Sequence, residues 1–230
     1  MNALRKKIVL ACHILIHQRL DSGPFGNVSM RIPGSDKFWV NPQGVTFNEL
    51  GADQIVCVDI EGNILEGKHE PHPGTFIHRE IYRLRNDVNA IVHTHSLNTV
   101  TLSLLGCEIE PYTQLGAAIF GDQGLYQGFS GPVRDSNEGS AIAQALGQKS
   151  IVIAKNHGLF TAKATMEGAL WDMIVADQAA QIHLAAKLHG LSKAEILNPE
   201  CIQKSKIEVR DKQCDFMWNS LIRQLPFKLI

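Results

Sequence analysis

The stretch from Lys68 to Ser96, KHEPHPGTFIHREIYRLRNDVNAIVHTHS, constrains the fold more than any other. Phe76, Ile77, Ile81 and Leu84 recur at helical spacing and predict a helix that begins at Thr75. NAIVHTHS behind it reads as a buried strand, so helix and strand alternate in a mixed α/β chain. That strand carries two histidines one residue apart.

Side chains alternate along a strand, so His93 and His95 project from one face with Cα atoms ~6–7 Å apart and can converge on one ion. A third candidate is His157 in IAKNHGLF, where Gly158 permits a tight turn at a sheet edge. Three neutral imidazoles with open positions suit a catalytic Zn²⁺ or similar divalent ion, since structural zinc uses four closed, sulfur-rich ligands. A hydrogen-bonded pair of core histidines accounts for His93 and His95 equally well at this point.

Around this segment the chain reads as one ordinary globular unit of 230 residues, 44% hydrophobic and 20% charged. Lys+Arg 22 against Asp+Glu 23 leaves a net charge of -1, without the basic footprint of a nucleic-acid binder. The N-terminal MNALRKKIVLACHILIHQRL reads as an amphipathic helix and not a signal peptide, because His13, His17 and Gln18 interrupt its apolar run. No run approaches the roughly 20 apolar residues of a membrane span. Five scattered cysteines without C-x-x-C spacing fit a reduced, cytoplasmic setting.

Leu4 to Leu20 has helical periodicity, broken by DSGPFG. NVSMRI, KFWVNP and QIVCVDI read as short strands, with DIEGNIL a hairpin. QLGAAIFGDQGLYQGFSGPVRDS reads as strand and loop, Glu138 to Leu146 as a short helix, and SIVIAKNHGLFTA as two strands around a tight turn. Thr165 to His189 is a long helix closed by Gly190. From Leu191 onward the chain reads as polar and irregular with an apolar patch, FMWNSLIRQLPFKLI, which suggests an extension (191–230) packing on the domain (1–190) or on a neighbouring subunit.

Four motifs in register, GNVSMR (Gly26–Arg31), NPQG (Asn41–Gly44), HTH and NHGL, make the chain resemble the class II aldolase/adducin family from about Leu4 to His189. The resemblance implies a three-layer α/β/α sandwich around a mainly antiparallel sheet. It also implies a homotetramer with each active site at a subunit interface, and a divalent ion on His93, His95 and His157. Zn²⁺ is the first choice for that ion, with Mn²⁺, Co²⁺ and Fe²⁺ also suited.

The chain departs from the family's sugar-phosphate aldolases where their chemistry is concentrated. Where they carry Ser-Ser-Glu, it reads His72-Pro73-Gly74, so the position of the acid–base glutamate is Gly74. The phosphate-turn serine or threonine is Gln43, followed by Gly44. The tyrosine proton donor falls on Gln114, with Tyr112 two residues away and on the same face if the stretch is a strand. Aldol cleavage needs a positioned acid and base, whereas decarboxylation needs chiefly an electron sink, so losing the glutamate harms the second reaction less.

The first reading is therefore a metal-dependent carbon–carbon lyase that decarboxylates a small hydroxy- or oxo-carboxylate, hydroxyaromatic ones included. An aldolase acting on a sugar or sugar phosphate, a non-haem iron oxygenase and a non-catalytic adducin-like module are the alternatives. His72 stands either as a solvated loop residue or as a donor that replaces the missing base. Asn27, beside the close-approach residue Gly26, and Arg134, a potential carboxylate clamp, are the remaining substrate-binding candidates. Gly74 is expected to leave space beside the ion for a planar substrate.

Overall fold

The computed structural model describes residues 3–21, 23–129, 131, 136–192 and 195–226, and leaves the side chains of 136 and 211 undescribed. An eight-stranded sheet runs in the order β4-β3-β2-β1-β5-β8-β7-β6. Its strands are β1 (Asn27–Arg31), β2 (Lys37–Val40), β3 (Val56–Asp59), β4 (Ile64–Glu66), β5 (Ala90–Thr94), β6 (Gln123–Tyr126), β7 (Ile151–Ala154) and β8 (Gly158–Lys163). Among the described residues only β6 and β7 run parallel, and every other pairing is antiparallel.

The central strands β1, β5 and β7 are buried along their whole length, so helices must cover both faces. On one face Phe38, Ile91 and Phe160 pack with Ile77 and Ile81 of α2 (Thr75–Leu84) and Ile142 of α5 (Ser136–Leu146). On the other, Val28, Val92 and Ile151 meet α1 (Ala3–His17), α3 (Leu97–Leu105), α4 (Gln114–Ile119), α6 (Met166–Leu188) and α8 (Asp211–Ile222). The result is the three-layer α/β/α sandwich expected.

Two stretches differ from the sequence reading. Gln114 to Ile119 is helix and not strand, because the Thr113 hydroxyl accepts from the Gly116 N–H and starts a turn. The C-terminal region is helical: Asn198 caps α7 (Pro199–Ser205) with Pro199 in its first turn, and a π-helical turn over Lys206–Arg210 leads into α8. This region packs on its own chain. Buried Arg210 binds Asp172 of α6 at 2.9 and 2.6 Å and Asp122 at 2.6 Å, while Trp218 and Leu221 complete the core. Among the described residues, no helix is long and apolar enough to cross a membrane.

Candidate metal centre

Three structural elements deliver the three histidines. His93 lies in β5, whose pairing with β8 sets it opposite Phe160, and the two rings stack at 3.8 Å. The strand ends at Thr94, so His95 stands one residue beyond it instead of within it. The segment after His95 is tied to α6: buried Asp177 accepts from Ser96 Oγ at 2.6 Å and from Asn98 Nδ2 at 3.0 Å. His157 sits in the turn between β7 and β8, next to Asn156 at φ 60° and Gly158 at φ 146°. A Cβ on Gly158 would lie 3.0 Å from the Thr94 carbonyl and 3.3 Å from His95 Cδ2, so glycine is required both for the turn and for the approach to His95.

The rings converge. Centroids are 4.5 Å apart for His93 and His95, 5.0 Å for His93 and His157, and 4.9 Å for His95 and His157. One nitrogen from each ring falls within 4.8 Å of the others. The Leu159 carbonyl, 2.9 Å from His93 Nδ1, can only accept, so Nδ1 carries the proton and the Nε2 lone pair faces His95 Nε2 at 2.8 Å.

Burial, with His95 and His157 adding to it, pushes His93 well below the usual imidazole range. Burial also takes His95 and His157 down to about 4, assisted by His72 and by His95 respectively. All three are therefore neutral at pH 7. Neutral converging lone pairs, together with a buried His157 Nδ1 that finds no partner among the described residues, fit a divalent ion.

The cluster opens into a cavity of about 400 Å³. Asn27, Gln43, Gly44, His72 and Gly74, each a candidate in the sequence, line it with the three histidines. Tyr112 and Gln114 do not reach it. Tyr112 packs edge-on to His183 at 5.7 Å, and Gln114 opens α4 beside a separate groove with Trp171 and Phe216. The strand face that would have aligned them is absent because Thr113 starts a helix. Arg134 lies outside the described residues.

Two expectations about HPG need correction. A Cβ on Gly74 would land on Asn27 Nδ2, well inside contact distance, and 3.2 Å from His72 Nδ1, so the Asn27 amide occupies the place that was expected to be empty. His72 is neither a solvated loop residue nor a free base. It is 9% exposed, its Nδ1 accepts from the Gly74 N–H at 3.0 Å, and its Nε2 lies 3.1 Å from the Pro24 carbonyl.

The sequence reading also missed Phe25, 60% exposed at the cavity mouth with its ring 6.4 Å from His95, which no spacing signalled. It missed Asp177, whose only signal was an acid within the apolar run of α6.

A model of the class II aldolase and adducin N-terminal domain matches residues 6–184. The chain belongs to the class II aldolase and adducin family. Within it, the chain is similar to the decarboxylase NovR of Streptomyces niveus, at 30% identity over 68% of this chain and 58% of that protein. It is also similar to the 3,4-dihydroxyphthalate decarboxylase of Arthrobacter keyseri, at 32% identity over 81% of this chain and 79% of that one. Among solved structures, the L-fuculose 1-phosphate aldolase of Glaciozyma antarctica superposes with a TM-score of 0.83 at 28% identity, covering 96% of this chain and 87% of that one. The chain spans less than two thirds of the length of the first curated relatives, 58%, 57% and 64%.

Proposed function

We propose that this class II aldolase relative is a divalent-metal-dependent carbon–carbon lyase that decarboxylates an unphosphorylated hydroxy- or oxo-carboxylate, with hydroxyaromatic carboxylates foremost. One observation carries the reading: three neutral imidazoles meet in a cavity whose described lining holds no carboxylate, hydroxyl or cationic side chain. A sugar phosphate finds no cradle there. The lining of Pro24, Phe25, Pro73 and Ile77 presents flat apolar surface to a planar substrate and excludes water from it.

His93, His95 and His157 would hold the ion, with Leu159 fixing the His93 tautomer and Asp177 anchoring the segment that follows His95. A divalent ion supplies a Lewis acid that polarises an oxygen next to the departing carboxylate. Gln43 and Asn27 orient the substrate, and Phe25 covers the mouth. Zn²⁺ is the proposed ion. We assign the chain to a homotetramer with each active site at a subunit interface. The two decarboxylase relatives support the reaction class.

The deciding experiment measures metal content of the purified protein. It then follows CO₂ release from dihydroxyphthalates and hydroxybenzoates, oxygen uptake, and cleavage of L-fuculose 1-phosphate in parallel. CO₂ release without oxygen uptake is expected. Efficient cleavage of the ketose phosphate with no CO₂ would return the chain to the aldolases, stoichiometric oxygen uptake would make it an oxygenase, and a metal-free protein would be an adducin-like module.

A further inference from the structure

The amide of Asn27 has a fixed orientation, and that orientation says which group of the substrate it reads. Asn27 is fully buried at the start of β1, with its Cα directly opposite that of His93 in the β1–β5 pairing, so the two side chains are neighbours on one sheet face. It lines the histidine cavity. An asparagine can present either its NH₂ or its carbonyl oxygen, and here two backbone groups settle the choice. The Gly74 N–H, 3.0 Å from His72 Nδ1, can only donate, so Nδ1 bears no proton. The Pro24 carbonyl, 3.1 Å from Nε2, can only accept, so Nε2 bears one. Both constraints select the same His72 tautomer.

The Asn27 atom 3.1 Å from that bare Nδ1 must then be the NH₂, because an oxygen there would set lone pair against lone pair. The other end of the amide, Oδ1, is buried and has no hydrogen-bond partner among the described residues. A buried acceptor without a donor is costly and calls for one from outside.

We propose that Asn27 Oδ1 is the specificity-determining atom of this cavity, accepting a hydrogen bond from a substrate hydroxyl bound beside His93. His72 is the positioning residue that holds the amide in this sense. The inference rests on the decarboxylase reading for the identity of the substrate and narrows it: a free hydroxyl or phenol, not a carboxylate or phosphate oxygen, lies against Asn27. An acceptor-only group there would face Oδ1 with no proton between them.

Two measurements test this without turnover. Long-range ¹H–¹⁵N correlation on the full chain should find His72 with the proton on Nε2; a proton on Nδ1 overturns the proposal, whatever any variant does. Calorimetry on the zinc-loaded protein then compares catechol with its monomethyl ether, guaiacol. Catechol should bind about tenfold or more tightly. Because metal chelation also favours catechol, the decisive quantity is how the ratio changes on substitution. In Asn27→Leu and in His72→Ala the ratio should shrink several-fold at unchanged zinc content, whereas a merely structural His72 would weaken both probes alike. An unchanged ratio in Asn27→Leu, or no catechol binding to the wild type, overturns the assignment. Loss of the ratio in a protein that releases CO₂ from no carboxylate would uphold Asn27 and sink only the reaction.

Discussion

Replacing Gly74 by alanine tests how tightly the cavity wall is assembled. Gly74 has φ -60° and ψ -6°, a conformation open to any residue, so the backbone itself raises no objection. By the unfolded-chain argument alone, Gly74→Ala would stabilise the protein by about 0.4–1 kcal/mol. The added Cβ, however, falls on Asn27 Nδ2 and within 3.2 Å of His72 Nδ1. The amide is enclosed on a fully buried residue, and any displacement breaks its 3.1 Å bond to His72. Overpacking costs about 1–3 kcal/mol, and the lost buried hydrogen bond about 0.5–1.5 kcal/mol. Set against the entropic gain, the net is a destabilisation of about 2 kcal/mol, or roughly 4–8 °C in Tm for a chain of this size.

Urea unfolding of Gly74→Ala, Asn27→Ala and the double variant provides the assay. Asn27→Ala removes the obstructing amide, so the two changes should couple favourably by about 1–2 kcal/mol. A Gly74→Ala protein at least as stable as the wild type, or strictly additive variants, would refute the packing argument.

Other consequences can be checked directly. His93→Ala, His95→Ala and His157→Ala should each drop metal content well below stoichiometry, since two imidazoles make a much weaker chelate; full metal in all three eliminates the site. Asp172→Ala leaves Arg210 buried with only Asp122 and should cost about 3 kcal/mol in urea unfolding; a loss under about 1 kcal/mol contradicts the role given to that pair. Burial, with His72 adding to it, lowers fully buried His78 from 6.5 to about 3. The unfolded chain takes up this proton first, so stability is whole above pH 6.5 and falls towards pH 3, by at most about 4–5 kcal/mol at the end of that window. His78→Gln should flatten that slope by about one proton, and an identical slope would contradict it. Light scattering should find an oligomer, tetrameric by preference; a persistent monomer at micromolar concentration counts against an interfacial active site.

The strands and the histidine cluster were legible because each rests on a local pattern. NAIVHTHS and SIVIAKNHGLFTA announce β5, β7 and β8, and Asn156-His157-Gly158 can only be a turn. The helix at Gln114 was hidden by glycines and alanines that read as loop, although Thr113 was available as a cap. The C-terminal helices escaped notice for a different reason: their apolar residues read as a patch and not as a helix face, and their stability comes from the Arg210 pairs and from Trp218 in the core, contacts that no local periodicity encodes. The fate of Gly74 was least legible of all. Its neighbour in space, Asn27, is 47 residues away in sequence, and only strand pairing and the loop carrying His72 bring the two together.

The pairing of β5 with β8 ties occupancy of the centre to folding itself. His95 and His157 are 62 positions apart (157 − 95), and it is the β5–β8 register that joins them. An unfolded chain keeps only the local His93 and His95 pair, so the proposed ion binds the native state far more tightly than the denatured one. By mass action each tenfold rise in free ion above the dissociation constant then adds about 1.4 kcal/mol to the fold. Scarcity of the ion would shorten the lifetime of the whole molecule, through unfolding and proteolysis, as well as idle its chemistry.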